Sequence, residues 1–283
     1  MMEENIKSLY IGKQIDVLDK GFVRLVDVMG DDSSIVQAAR VSYGKGTKSV
    51  SEDRGLIRYL MRNRHTSPFE MVEFKFHVKL PIFVARQWIR HRTANVNEYS
   101  GRYSEMKDEF YIPEIGQLRQ QSTMNKQGRA LEQLPGDAAR QVQDKLSRTQ
   151  KQLFSEYNEY LELNLARELA RINLPLSTYT EWYWKIDLHN LFHFFRLRLD
   201  EHAQYEIRVY AEKMAGLVKP FVPVAWEAFE DYILNAVTFS GKELKLLNTM
   251  INNNFPSAES MSAEGVKGRE AAEFLEKIKK IIT

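Results

Sequence analysis

The sequence contains no cysteine. That absence removes disulfides, zinc-thiolate sites, iron-sulfur clusters and every mechanism that begins with a thiolate nucleophile. No apolar run approaches the ~18 residues that a membrane-spanning helix needs. The opening 14 residues are charged and carry no apolar core or small-residue cleavage pattern, so no secretory signal is expected and the protein is read as cytoplasmic, without membrane contact. A dominant charge is missing as well. Forty Lys and Arg face 38 Asp and Glu, a net charge of +2, so nucleic-acid binding would need a local basic patch rather than a global field. No internal repeat or heptad array is visible.

What is present describes a globular chain: 283 residues, 43% hydrophobic, 11% aromatic and 28% charged. A chain of this size buries roughly three quarters of its unfolded surface, as one large domain or two modest ones. Phe22 to Met29 reads as a strand, and Gly30-Asp31-Asp32-Ser33 leads into a helix through Ile35 to Val41. Gly44-Lys45-Gly46 is a break, and Ser51 is the expected cap of a helix that runs out near Asn63-Arg64-His65. Val72, Phe74, Phe76, Val78 and Leu80 alternate with polar residues, the period of a half-buried strand with His77 on its other face. Pro81 is placed at the first position of a helix reaching His91. Asn95 to Gly101 reads as a loop, and the stretch up to about Pro135 as a surface excursion without a period. Asp137 is expected to cap a long helix whose leucines recur until Pro175. Asp187 should cap a helix carrying Leu191, Phe194, Phe195 and Leu199, followed by another helix at about Glu201 to Leu217. In the tail, Ser240 and Glu243 have capping-box spacing, Asn252-Asn253-Asn254 suggests a linker, and Ala271, Leu275, Ile278 and Ile282 form a stripe.

Three segments could carry chemistry. Arg86 to Arg92 (Arg-Gln-Trp-Ile-Arg-His-Arg) would place the Gln87 amide, the Arg90 guanidinium and the His91 imidazole on one helical edge. The following loop adds Glu98, Ser100, Gly101 and Arg102, a set suited to a phosphorylated, planar ligand. A solvated helix end or a backbone-binding patch for RNA would use the same residue types. The second segment sets His189 and His193 four residues apart on one helical face, the spacing of metal ligands. The catalytic zinc motif, however, requires Glu directly after its first histidine, and Asn190 stands there. Ligand hydrogen bonding and core packing are the alternatives for this pair, and a metal-dependent phosphohydrolase is the rival enzyme class. The third segment, His65 to Glu70, is a polar helix exit beside the alternating strand.

Together these residues resemble the flavin-dependent thymidylate synthase family. Its signature, Arg-His-Arg, seven residues, then Ser, stands as Arg90-His91-Arg92, Thr93 to Tyr99, then Ser100. The match continues through Gly101, Arg102 and Tyr103, with His65 to Glu70, Ala170-Arg171 before Leu174-Pro175-Leu176, and Asp187 to Arg198 in the family's order.

The resemblance implies an α+β fold, an antiparallel sheet flanked by long helices, with residues 1–232 as the catalytic domain and 233–283 as a helical extension of unassigned role. It implies conversion of dUMP to dTMP with 5,10-methylenetetrahydrofolate, FAD and NADPH, in a homotetramer with shared sites. It assigns FAD to Ser67, Arg90, His91, Arg92, Glu98, Asp187, Leu188, His189 and His193. It assigns dUMP to Gln87, Trp88, Ile89, Arg90, Glu98, Tyr99, Ser100, Gly101, Arg102, Arg171 and Arg198, with Arg198 aligned to the family's uracil-activating arginine. Some members have Asn-x-Arg and Asn where this chain has Asp187-Leu188-His189 and His193. Without a cysteine to attack uracil, activation must be electrostatic, and a guanidinium that keeps its charge suits that task.

Overall fold

Alternating apolar residues build the central sheet. The computed structural model describes residues 7–41, 50–123, 128–250 and 256–282. Its strands are β1 (Gln14–Val17), β2 (Gly21–Met29), β3 (Glu73–Pro81), β4 (Asn95–Glu98), β5 (Arg119–Gln121), β6 (Arg129–Gln133) and β7 (Tyr179–Asp187). Five of them form one antiparallel sheet in the order β1-β2-β3-β7-β4, and β5 and β6 pair separately as a hairpin. Phe74, Phe76 and Val78 on β3 and Trp182, Trp184 and Ile186 on β7 are buried on one face. His77 lies on the other face, stacked on Tyr183 with ring centroids 4.8 Å apart.

Helices of the first compact unit, Met1–Leu234, include α1 (Asp32–Val41), α2 (Val50–Arg62), α3 (Ile82–Trp88), α4 (Gly136–Glu162), the one-turn α5 (Arg167–Ala170), α6 (Leu188–Arg198), α7 (Tyr205–Val218) and α8 (Pro223–Phe229). Val84 and Trp88 of α3, Leu191, Phe194 and Phe195 of α6, Tyr210 and Met214 of α7, and Trp226 and Phe229 of α8 join the sheet in one hydrophobic core. At its centre Trp88 meets Trp182 and Trp184 edge-on, with centroids 5.7 and 5.3 Å away. The three indole N–H groups have no hydrogen-bond partner among the described residues. Edge-on rings let an N–H face an aromatic cloud, a weak substitute that a fully apolar site tolerates. Asp32 ties α1 to α8 by accepting from the backbone N–H groups of Val224 and Ala225 at 2.7 and 2.9 Å. Burial nevertheless pushes its carboxyl up to about 6.

The second unit, Asn235–Thr283, holds α9 (Gly241–Met250), α10 (Ala258–Ala263) and α11 (Gly268–Ile282). Its capping box forms: Ser240 N–H donates to Glu243 Oε2 at 2.7 Å, and Glu243 N–H to Ser240 Oγ at 3.3 Å. Ala271, Leu275 and Ile278 of the expected stripe are half-buried. No described helix is long and apolar enough to cross a membrane.

Several expectations are corrected. Asn95–Glu98 is a strand rather than a loop, because an edge strand needs only one ladder and β7 supplies it, while its four side chains stay exposed. The excursion contains the β5–β6 hairpin, whose polar, exposed strands carry no period to read. The long helix stops at Glu162, not Pro175, because Asn164 adopts a left-handed conformation at φ 59°. Asn164 N–H then donates to Leu161 O and Leu165 N–H to Tyr160 O, both at 2.9 Å, closing the helix end. Pro81 is the extended residue before α3, at ψ 145°, rather than its first helical residue. The first amides of α3 reach the carbonyls of Thr178 and Leu176, both at 2.9 Å. Asp137 sits in the first turn of α4 while Pro135 occupies the cap position. The Gly44–Gly46 break, the Ser51 side chain and the Asn252–Asn254 linker lie outside the described residues.

Candidate active site

The end of α3 is where the signature begins, and the chain there tightens. Ile89 N–H still bonds Ala85 O, but His91 N–H bonds Trp88 O at 3.0 Å, a three-residue turn. Tightening from 3.6 to about three residues per turn separates the side chains expected on one edge. Gln87 turns to the Gln204 side chain, Arg90 is exposed, and His91 turns inward to 9% exposure. Trp88, expected at the nucleotide, is fully buried in the core, so its side chain cannot reach a ligand there; Ile89 is about half exposed.

His91 meets α6. Arg198 donates through Nε–H to His91 Nε2 at 3.1 Å, and the His193 and Phe194 rings lie with centroids 6.0 and 5.0 Å from the imidazole. Burial, then the Arg198 guanidinium, then His193 push His91 down to about 4. The imidazole is therefore neutral at pH 7, and a ring that accepts at Nε2 carries its proton on Nδ1. Burial also lowers Arg198, which stays a cation. Only Nε of Arg198 has a described partner, so both terminal nitrogens of its fork are available.

Beside this pair opens a cavity of about 220 Å³. Its lining includes His65, Thr66 and Phe69 from the helix-exit segment and His189, His193 and Arg196 from α6. His193 thus belongs to both the cavity and the His91 cluster. Ser67 is exposed and does not line the cavity; its neighbours His65 and Thr66 do. Leu188 is fully buried, its N–H donating to Val72 O, and offers no side chain to a ligand. Asp187 caps α6 by accepting from Asn190 N–H at 2.9 Å, and its other oxygen accepts from Asn190 Nδ2 at 2.7 Å. The Asp187 carboxylate is thereby occupied locally. Thr93 in turn donates to Asn190 Oδ1 at 2.7 Å, pinning the strand after Arg92 to α6. Among the described residues, no group of three or more His, Asp or Glu is placed to hold a metal, so His189 and His193 lack a third ligand.

The second half of the signature forms a separate group. Glu98, at the end of β4, accepts from Thr180 Oγ1 at 2.7 Å. Tyr99 is tied down by N–H to Glu181 O at 2.8 Å and by its hydroxyl to Glu105 O at 2.6 Å. Ser100 starts a turn: its carbonyl accepts from the N–H groups of Tyr103 and Ser104, and its Oγ from Arg102 N–H at 3.3 Å. Gly101 is buried against Arg171; a Cβ there would stand 2.8 Å from Met106 Sδ and 3.1 Å from the Arg171 side chain. Arg102 pairs with Glu168 at 3.0 Å on the surface, a contact worth little and easily exchanged. The guanidinium groups of Arg90, Arg92 and Arg171 have no hydrogen-bond or salt-bridge partner among the described residues. No described contact joins this group to the His91–Arg198 pair.

The family profile described as thymidylate synthase complementing protein matches residues 24–224. A flavin-dependent thymidylate synthase of Treponema denticola is 57% identical over 267 residues, covering 94% of this chain and 97% of that protein. The enzyme of the same name from Gluconobacter oxydans is 58% identical over 261 residues, covering 91% and 85%. Among solved structures, the UMP/dUMP methylase PolB of Streptomyces cacaoi, bound with 5-Br dUMP, superposes with a TM-score of 0.70 at 36% identity, covering 78% of this chain and 99% of its own. The chain belongs to the flavin-dependent thymidylate synthase family.

Proposed function

We propose that the protein is a flavin-dependent thymidylate synthase that reductively methylates dUMP to dTMP, with 5,10-methylenetetrahydrofolate as carbon donor, NADPH as reductant and FAD as its flavin. The Arg198–His91 pair carries this reading. Its Nε is committed to a neutral imidazole, so the planar fork is held in one orientation with two terminal nitrogens to spare. A fork of that kind fits the N3 and carbonyl edge of uracil and stabilises the negative charge that appears there when N3 loses its proton. The extra electron density reaches C5, where the new carbon attaches. Neither partner takes up a proton readily at neutral pH, because Arg198 is already charged and His91 protonates only near pH 4. The pair therefore holds charge rather than relaying a proton.

Ser100 is half-buried, and no imidazole or carboxylate among the described residues touches its hydroxyl. An unassisted serine hydroxyl is a weak nucleophile, so its task is orientation. Gly101 with Arg102 and Arg171 makes a cradle for the nucleotide phosphate: the missing Cβ lets backbone and guanidinium approach closely.

The residues fit a flavin dinucleotide. Unpartnered Arg90 and Arg92 suit a diphosphate, and a cavity of aromatic and imidazole side chains suits part of a ring system. When bound, a flavin supplies the hydride and carbon-relay chemistry that side chains lack. Every residue invoked lies in Met1–Leu234, the catalytic unit in this reading, with Asn235–Thr283 as an extension. Exposed Leu163, Leu165, Leu169, Ile172 and Leu176 flank Arg171 in sequence, and apolar side chains there suit contact between copies, in this reading a homotetramer with shared sites.

The decisive experiment is the absorption spectrum of the purified protein together with a dTMP assay. A flavin chromophore and NADPH- and folate-dependent dTMP formation are expected; a colourless protein that forms no dTMP after FAD addition would overturn the assignment.

A further inference from the structure

The β5–β6 hairpin sends one side chain inward. Arg129, the first residue of β6, pairs through Nη2 with both carboxylate oxygens of Glu206, which is only 2% exposed. Glu206 lies in the first turn of α7, where the helix dipole favours a carboxylate. It also accepts from the Tyr111 hydroxyl at 3.1 Å and from Gln204 Nε2 at 2.8 Å. Burial and the Glu206 carboxylate push the Tyr111 phenol upward, so that hydroxyl remains a donor.

A carboxylate accepts and never donates. Gln204, at the cap position of α7, must therefore turn its NH2 toward Glu206 and its carbonyl oxygen outward. That oxygen accepts from Gln87 Nε2. Gln87 is fixed in turn: one N–H of its amide is used on Gln204, and no described residue donates to its Oε1.

We propose that Glu206 and Gln204 are positioning residues that set the polarity of the Gln87 amide. The nucleotide site then offers an acceptor at Gln87 to an O–H or N–H donor of the pyrimidine nucleotide, and the hairpin holds the relay in this state through Arg129. The proposal rests on reading Gln87 as a substrate contact. With the amides reversed, Gln87 would present N–H to a substrate donor and repel it.

The test is a double-mutant cycle on the flavin-loaded enzyme, reading the Kd for dUMP by calorimetry and flavin content by absorbance. Glu206→Gln, which can turn an NH2 toward Gln204, and Gln87→Ala should each weaken dUMP binding by up to about tenfold. The double variant should bind no more weakly than Gln87→Ala alone, with flavin content unchanged throughout. A purely structural role for Glu206 would instead give additive losses. Additivity, or normal binding by Glu206→Gln beside a weakened Gln87→Ala, overturns the relay and leaves Gln87 as a contact. Normal binding by Gln87→Ala overturns the contact and the relay with it. Should Glu206→Gln fail to fold, Gln204→Met, at a half-buried position, is read in the same cycle with the same outcomes.

Discussion

Arg198 and His91 are 107 residues apart in the chain and 3.1 Å apart in space, joined by a single Nε–H to Nε2 bond. That bond makes two elements, the turn after α3 and the C-terminal end of α6, into one rigid platform for a cation. The platform fixes orientation as well as charge.

Arg198→Lys keeps the charge and loses both the bond to His91 and the fork. Losing hydrogen bonds to a charged group costs about 1.5 to 3 kcal/mol, so dTMP formation should fall by about 10- to 100-fold. Flavin retention and its reduction by NADPH should persist. Measuring the two half-reactions separately decides the matter: equal losses in both would mean general damage, and near-normal dTMP formation would remove Arg198 from the chemistry.

Stability should respond to pH through two opposed groups. His91 is pushed down to about 4 from 6.5, so between those values the unfolded chain binds the proton more tightly. Its contribution is whole above pH 6.5 and is lost as pH falls toward 4. Asp32 is pushed up from 3.8 to about 6, so its contribution is whole below pH 3.8 and is lost as pH rises to 6. Urea unfolding across pH 4 to 7 should show His91→Asn losing less stability than the parent on acidification. Asp32→Asn, whose single carbonyl serves only one of the two amides, should trail the parent most at low pH. Parallel curves for either variant would contradict the corresponding shift.

Gly101→Ala places a methyl group within 2.8 Å of Met106 Sδ and 3.1 Å of Arg171. Arg171 must move, and the KM for dUMP should rise about tenfold or more while bound flavin stays constant. An unchanged KM would show that the close approach serves the turn alone.

Ser100→Ala should retain measurable turnover, reduced by up to about tenfold, the loss of one neutral hydrogen bond. Complete inactivity in a folded, flavin-bound variant, or a covalent Ser100–nucleotide adduct, would contradict an orienting role.

How much of this was legible depended on whether the determinant was local. The alternation from Val72 to Leu80 announced β3, and Asp187 announced the start of α6, because strand period and helix capping are written within a few residues. β4 was not legible: Asn95, Val96, Asn97 and Glu98 are a strand only because β7 lies beside them. The signature marks a candidate site, yet neighbours in sequence face different ways. Trp88 and Leu188 went to the core although both sit among residues expected at the ligands. Gln204 and Glu206 were missed entirely, because only the fold brings them to Gln87 and Arg129. A Glu in the first turn of a helix is an ordinary complement to the helix dipole, so the sequence held no stronger signal there.

The tryptophan cluster beneath His91 has an optical consequence. The four tryptophans, Trp88, Trp182, Trp184 and Trp226, are each at most 4% exposed, so native emission comes from indoles shielded from water and should lie at short wavelength. Phe194 packs against both Trp88 and His91, which puts the dry indoles one ring away from the imidazole of the flavin signature. A yellow chromophore held at that imidazole would absorb the indoles' emission at short range. Loss of flavin should therefore brighten the protein's own fluorescence, and unfolding should shift it to the red, so one emission scan separates a variant that drops its cofactor from one that loses its core.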